Sequence, residues 1–167
     1  MDKLKAVIID DEKDSRDILC NYLTKYCPDV QVCGFGDSVK TGLESIKKYQ
    51  PEIVFLDIEM PYGNGFDLLD QVGKVTFETV FVTAFDNYAI RALNQSAAYY
   101  LLKPIDIDEL INAVEKIKAE RKKEDYTRHS EILLENIRAA SGNKQKIMLP
   151  MLEGFEIVSI ANIIYCQ

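Results

Sequence analysis

The chain has 167 residues, enough for one ordinary domain with its own core and a small appendage, and too few for two full domains. Apolar residues at 47% and charged residues at 28% are globular proportions and exclude a disordered chain. The net charge of −7 is carried by residues 1–125, with 16 basic and 23 acidic side chains, whereas the remaining 42 residues hold four of each. That balance offers no basic face, so the chain as given is expected to bind DNA poorly. Its longest apolar runs fall far short of the roughly 20 residues of a membrane span. MDKLKAVIIDDE has no apolar stretch before a cleavage site, so a cytoplasmic location is the expectation.

Short apolar runs alternate with longer amphipathic segments from residue 3 to about residue 123, the pattern of an α/β fold built on a parallel sheet. A strand is expected over Lys5–Asp10, ending in Asp10, Asp11 and Glu12, and a helix over Asp14–Tyr26. A second strand follows over Val30–Phe35. Ser38 then caps a helix reaching Tyr49, with Val39, Leu43 and Ile46 as its apolar stripe. The third strand, Ile53–Asp57, closes on a carboxylate, and Met60, Pro61 and Gly65 shape the loop before a helix over Gly65–Val72. Thr79–Thr83 forms the fourth strand and Asn87–Asn94 the fourth helix. Tyr99–Leu102 is the fifth strand, followed at once by Lys103 and Pro104. Asp106 caps a last helix from Ile107 to about Lys123, with Leu110, Ile111, Val114 and Ile117 on its buried side. The apolar cores AVII, IVFL and TVFV lack alternation, as expected of central strands covered on both faces. Five strands and five helices make one doubly wound domain over residues 1–123.

Residues 124–144 read as a polar helical linker with a short helix at Ile132–Ile137. Residues 145–167, KIMLPMLEGFEIVSIANIIYCQ and its lead-in, read as a strand, a turn at Glu153 and Gly154, a second strand and the beginning of a third. Cys20, Cys27, Cys33 and Cys166 form no C-x-x-C pair and read as reduced packing residues, and His129 reads as a surface residue of the linker.

Ligands of an open parallel sheet bind beyond the carboxyl ends of the strands. Four of the five expected strands end on chemistry-bearing groups: Asp10 and Asp11, Asp57, Thr83, and Lys103. Carboxylates from neighbouring strands repel one another unless a cation shares the site, and hard oxygen donors suit Mg2+. Carboxylates, a metal, a lysine and a hydroxyl make a phosphoryl-transfer set. No glycine-rich nucleotide cradle accompanies them, so Asp57 reads as the acceptor of a phosphoryl group delivered by another protein.

With IIDDE at 8–12, FLDIEMPYGNG at 55–65, VTA at 82–84 and YLLKP at 100–104, residues 3 to about 123 resemble the receiver domain of a bacterial two-component response regulator. The resemblance implies a flavodoxin-like sheet in the order 2-1-3-4-5. It also implies Asp57 as the phosphorylated residue, with Asp10, Asp11, Asp57 and the backbone carbonyl of Glu59 as Mg2+ ligands. Lys103 and Thr83 would engage the phosphoryl group and Tyr100 would be the switching aromatic, while Glu59 and Phe85 would flank the attacking water. The expected partners are a sensor histidine kinase and a second copy, docked through the fourth helix, fifth strand and fifth helix. Enzymatic turnover of an external substrate is not expected.

KIMLPMLEGFEIVSIANIIYCQ is in turn similar to the opening strands of the LytTR DNA-binding domain that follows receivers of the LytR and AlgR type, so 145–167 is expected to be a truncated start of that domain. DNA contact and transcription control would belong to the complete domain of the parent protein. Two other classes fit less well. A haloacid-dehalogenase-type phosphatase would carry D-x-D where Glu59 stands here, with its acidic pair after the lysine. A flavodoxin would place hydroxyls and glycines where this chain has DDEKD.

Overall fold

The computed structural model describes residues 3–84, 99–121, 146–151 and 154–159. The elements run β1 (Leu4–Ile9), α1 (Lys13–Tyr26), β2 (Val30–Gly36), α2 (Val39–Tyr49), β3 (Ile53–Leu56), α3 (Gly65–Val72), β4 (Glu78–Thr83), β5 (Tyr100–Leu102), α4 (Ile107–Arg121), β6 (Lys146–Met151) and β7 (Gly154–Ser159). The first five strands form one parallel sheet in the order β2-β1-β3-β4-β5, the flavodoxin-like arrangement expected from the sequence.

Alternation along the strands divides the core in two, because successive side chains of a strand point to opposite faces. Ala6 and Ile8, Ile53 and Phe55, Val80 and Val82 pack with Leu19 and Leu23 of α1 and Leu110, Val114 and Ile117 of α4. Val7 and Ile9, Val54 and Leu56, and Phe81 pack on the other face with Ile46 of α2 and Leu68 and Leu69 of α3. Burial on both faces is why AVII, IVFL and TVFV are unbroken apolar runs.

Helix starts follow local chemistry. The Ser38 hydroxyl accepts the Thr41 N–H and the Thr41 hydroxyl accepts the Ser38 N–H, a reciprocal capping box that opens α2. Asn64 and Asp67 do the same for α3. The Asp106 carboxylate accepts the N–H groups of Asp108 and Glu109 at 2.9 and 3.0 Å, as its position before α4 predicts.

Boundaries differ from expectation by one residue in informative places. β1 and β3 stop at Ile9 and Leu56, so Asp10 and Asp57 stand just beyond the ladder. Their N–H groups still donate into it, to Gly36 and Ile9 respectively. β4 begins one residue early, at Glu78, whose N–H bonds the Glu52 carbonyl at 2.9 Å. At the C-terminus β6 and β7 form an antiparallel pair with Lys146 opposite Ser159, and Gly154, expected in the turn, opens β7. The expected helices Asn87–Asn94 and Ile132–Ile137, the third C-terminal strand, Phe85, His129 and Cys166 lie outside the described residues.

Candidate functional site

Because β1 and β3 are neighbours, Asp10 and Asp57 emerge side by side at the carboxyl edge of the sheet. Both are buried, at 4% and 5% exposure. The two are built alike. In each, one carboxylate oxygen accepts the N–H two residues further on: Asp10 Oδ1 from Glu12 at 2.9 Å, Asp57 Oδ1 from Glu59 at 3.0 Å. The remaining oxygens converge on the Lys103 ammonium, Asp10 Oδ2 at 2.7 Å and Asp57 Oδ2 at 3.0 Å. Glu12 lies 3.6 Å from the same ammonium.

Lys103 arrives from the far side of the sheet. Its N–H donates to the Thr83 carbonyl at 2.9 Å, continuing the β4–β5 ladder by one step, and its peptide bond to Pro104 is cis. Thr83 is fully buried at the end of β4. Tyr100, the first residue of β5, is buried in the core beside Phe81.

Burial is the largest influence on Asp10 and pushes its carboxyl above the ordinary value, and the Asp57 charge adds to it, whereas hydrogen bonds from Lys103 and the Glu12 amide oppose both. For Lys103 the balance falls the other way. Desolvation would lower its pKa, but the hydrogen bonds and charges of Asp10 and Asp57 together raise it, so the lysine is a fixed cation.

Asp10, Asp11 and Asp57 each offer a carboxylate oxygen within 4.8 Å of the others. Three carboxylates around one monovalent lysine leave net negative charge, and oxygen donors at that spacing fit a small hard divalent cation. A cleft of about 480 Å³ opens beside them, lined by Asp11, Ile58, Glu59, Met60, Pro61 and Asn64. Gly65 lets α3 start directly against the backbone of Asp57, since a Cβ there would stand 2.6 Å from the Asp57 carbonyl oxygen.

All the charged site residues expected from sequence, Asp10, Asp11, Asp57 and Lys103, meet at this edge, with Thr83 at the end of the adjacent strand. Glu59 reaches Asp57 through its amide. Arg16 was not anticipated: its Nη1 donates to the carbonyls of Asp10 and Asp11 at 2.5 and 3.2 Å. It sits half-buried at the start of the apolar stripe of α1, three residues before Leu19 and seven before Leu23, and the available clue was a charged residue at a stripe position one turn into the helix that follows the acidic pair.

The profile of the response regulator receiver domain matches residues 6–115, and the chain belongs to that family. It is 34% identical over 164 residues to the sensory transduction protein LytT of Bacillus cereus, covering 97% of this chain and 65% of LytT. It is 37% identical over 128 residues to the transcriptional regulatory protein BtsR of Escherichia coli, covering 74% of this chain and 52% of BtsR. The chain thus spans between half and two thirds of the length of these relatives. Among solved structures, the REC domain of AraT, a response regulator from Geobacillus stearothermophilus, superposes with a TM-score of 0.63 at 25% identity, covering 73% of this chain and 98% of that one.

Proposed function

We propose that this chain is the phosphoacceptor module of a two-component pathway, phosphorylated on Asp57 by a sensor histidine kinase with Mg2+ held by Asp10, Asp11, Asp57 and the carbonyl of Glu59. The observation that carries this reading is the convergence of the Asp10 and Asp57 carboxylates on Lys103 at the carboxyl edge of the sheet.

In the step itself a carboxylate oxygen of Asp57 attacks phosphorus. The P–O bond forms as the P–N bond of the donor phosphohistidine breaks, and the imidazole leaves with its electron pair and takes up a proton. The metal, when bound, neutralises charge on the phosphoryl oxygens. Lys103 supplies a further fixed positive charge, and Thr83 would turn its hydroxyl toward the new group. The added anion biases the sheet edge between two arrangements, with Tyr100 filling the space Thr83 leaves. Two copies would pair through β5, α4 and the fourth helix expected from the sequence over residues 87–94. Residues 145–167 would begin a LytTR-like output domain that contacts DNA only when complete, and the pathway would be cytoplasmic. No external substrate is turned over.

The test is intact mass after incubation with Mg2+ and acetyl phosphate. One phosphoryl adduct is expected on the parent and none on Asp57→Asn; an unmodified parent, or an adduct surviving in the variant, overturns the reading. For pairing, sedimentation with and without beryllofluoride should show a shift from monomer to dimer, and an unchanged monomer counts against that surface.

A further inference from the structure

We propose that Arg16 is a positioning residue for the cation site, clamping the backbone of the β1–α1 loop so that the Asp10 and Asp11 carboxylates face a common point. The inference rests on the phosphoacceptor reading, because that reading gives the acidic cluster its Mg2+.

Asp10 is fixed on every side. Its N–H bonds the Gly36 carbonyl at 3.0 Å, and its carboxylate is held by the Glu12 amide and Lys103. Its carbonyl is held by Arg16. Asp11 has an exposed carboxylate, and Arg16 is what ties its carbonyl. The loop has only three residues between β1 and α1, so two neighbouring carbonyls must turn away from the sheet together. One guanidinium nitrogen satisfies both, and a planar donor group on a half-buried stem is suited to that work. The same cation is near enough to the β2–α2 turn for its charge to reach Asp37, whose carboxylate is in turn held by the Thr41 and Ser38 hydroxyls.

Two roles for Arg16 predict opposite signs. As a bare positive charge beside a divalent cation site, it would weaken Mg2+ binding, and its removal would tighten it. As a clamp it strengthens binding by holding the ligands in place, and supporting hydrogen bonds of this kind are commonly worth about tenfold or more in metal affinity.

The experiment is calorimetric titration of Mg2+ into the metal-free parent, Arg16→Ala and Arg16→Lys, with amide NMR spectra of each before metal is added. The clamp predicts about tenfold weaker binding for Arg16→Ala, partial recovery for Arg16→Lys, and metal-free amide shifts confined to residues 10–13 and their neighbours. Binding by Arg16→Ala as tight as the parent or tighter overturns the clamp while leaving the phosphoacceptor reading intact. A parent that binds no Mg2+ and takes no phosphoryl group from acetyl phosphate overturns both.

Discussion

Glu78 is the most direct test of the electrostatics of this fold. It opens β4, only 4% exposed, at the amino end of the sheet and away from the acidic cluster. Burial pushes its carboxyl from 4.5 up to about 7, Glu120 adds negative charge to the effect and Arg121 opposes it. Folded protein therefore keeps this proton after unfolded chain has released it. Stability from this group is fully present below pH 4.5 and is lost as pH rises through 7. At about 1.4 kcal/mol per pH unit, the gap between the two values amounts to about 3 kcal/mol. Glu78→Gln replaces the protonated acid with a neutral isostere that cannot titrate. Urea unfolding of parent and variant at half-unit steps from pH 5 to 8 should show the variant gaining on the parent by up to about 3 kcal/mol, with most of the gain between pH 5 and 7.5. A stability difference that stays flat across this range would refute the reasoning.

Three further outcomes are expected. Gly65→Ala drives a Cβ against the Asp57 carbonyl, backbone that cannot swing aside, and should cost about 2 kcal/mol in denaturant unfolding while slowing labelling by acetyl phosphate. Lys103→Met leaves Asp10 and Asp57 facing each other without a shared cation, a loss of about 3 kcal/mol near neutral pH. Added Mg2+ should raise the melting temperature of that variant more than that of the parent, and equal shifts would argue against the lysine as a counter-cation. Ser38→Ala removes one half of the capping box of α2 and should cost about 1 kcal/mol with the Mg2+ response unchanged.

How much was legible in the sequence follows from the kind of force involved. The strands and their ends were legible because burial on both faces demands unbroken apolar runs, and a carboxylate or lysine directly after such a run has to emerge at the sheet edge. The Lys103–Asp10 contact was not, since it joins residues 93 positions apart and depends on which strands are neighbours. Strand limits slipped where a polar group takes over from the ladder: β1 ends at Ile9 because the Asp10 carbonyl turns to Arg16 instead of to β2 or β3. Glu78 slipped for the opposite reason. A charged residue looks like a strand boundary in sequence, yet here it is buried inside the ladder and stays neutral over much of the acid range.

Asp10 and Asp57 share neighbouring strands, the same turn to the amide two residues on, and the same lysine, so their carboxylates are held almost alike. The loops behind them differ. After Asp10 the chain enters α1 at Lys13, and Arg16 donates back to the carbonyls of Asp10 and Asp11. After Asp57 it runs seven residues before α3 begins at Gly65, through Tyr62 with its positive φ and wholly exposed ring. That longer loop walls the cleft beside the acidic cluster, with Ile58, Glu59, Met60, Pro61 and Asn64 along it. The cleft thus lies along the β3–α3 loop and touches Asp11, while Asp10 and Asp57 are almost equally buried. What differs between two near-identical groups is the length of chain that follows each strand.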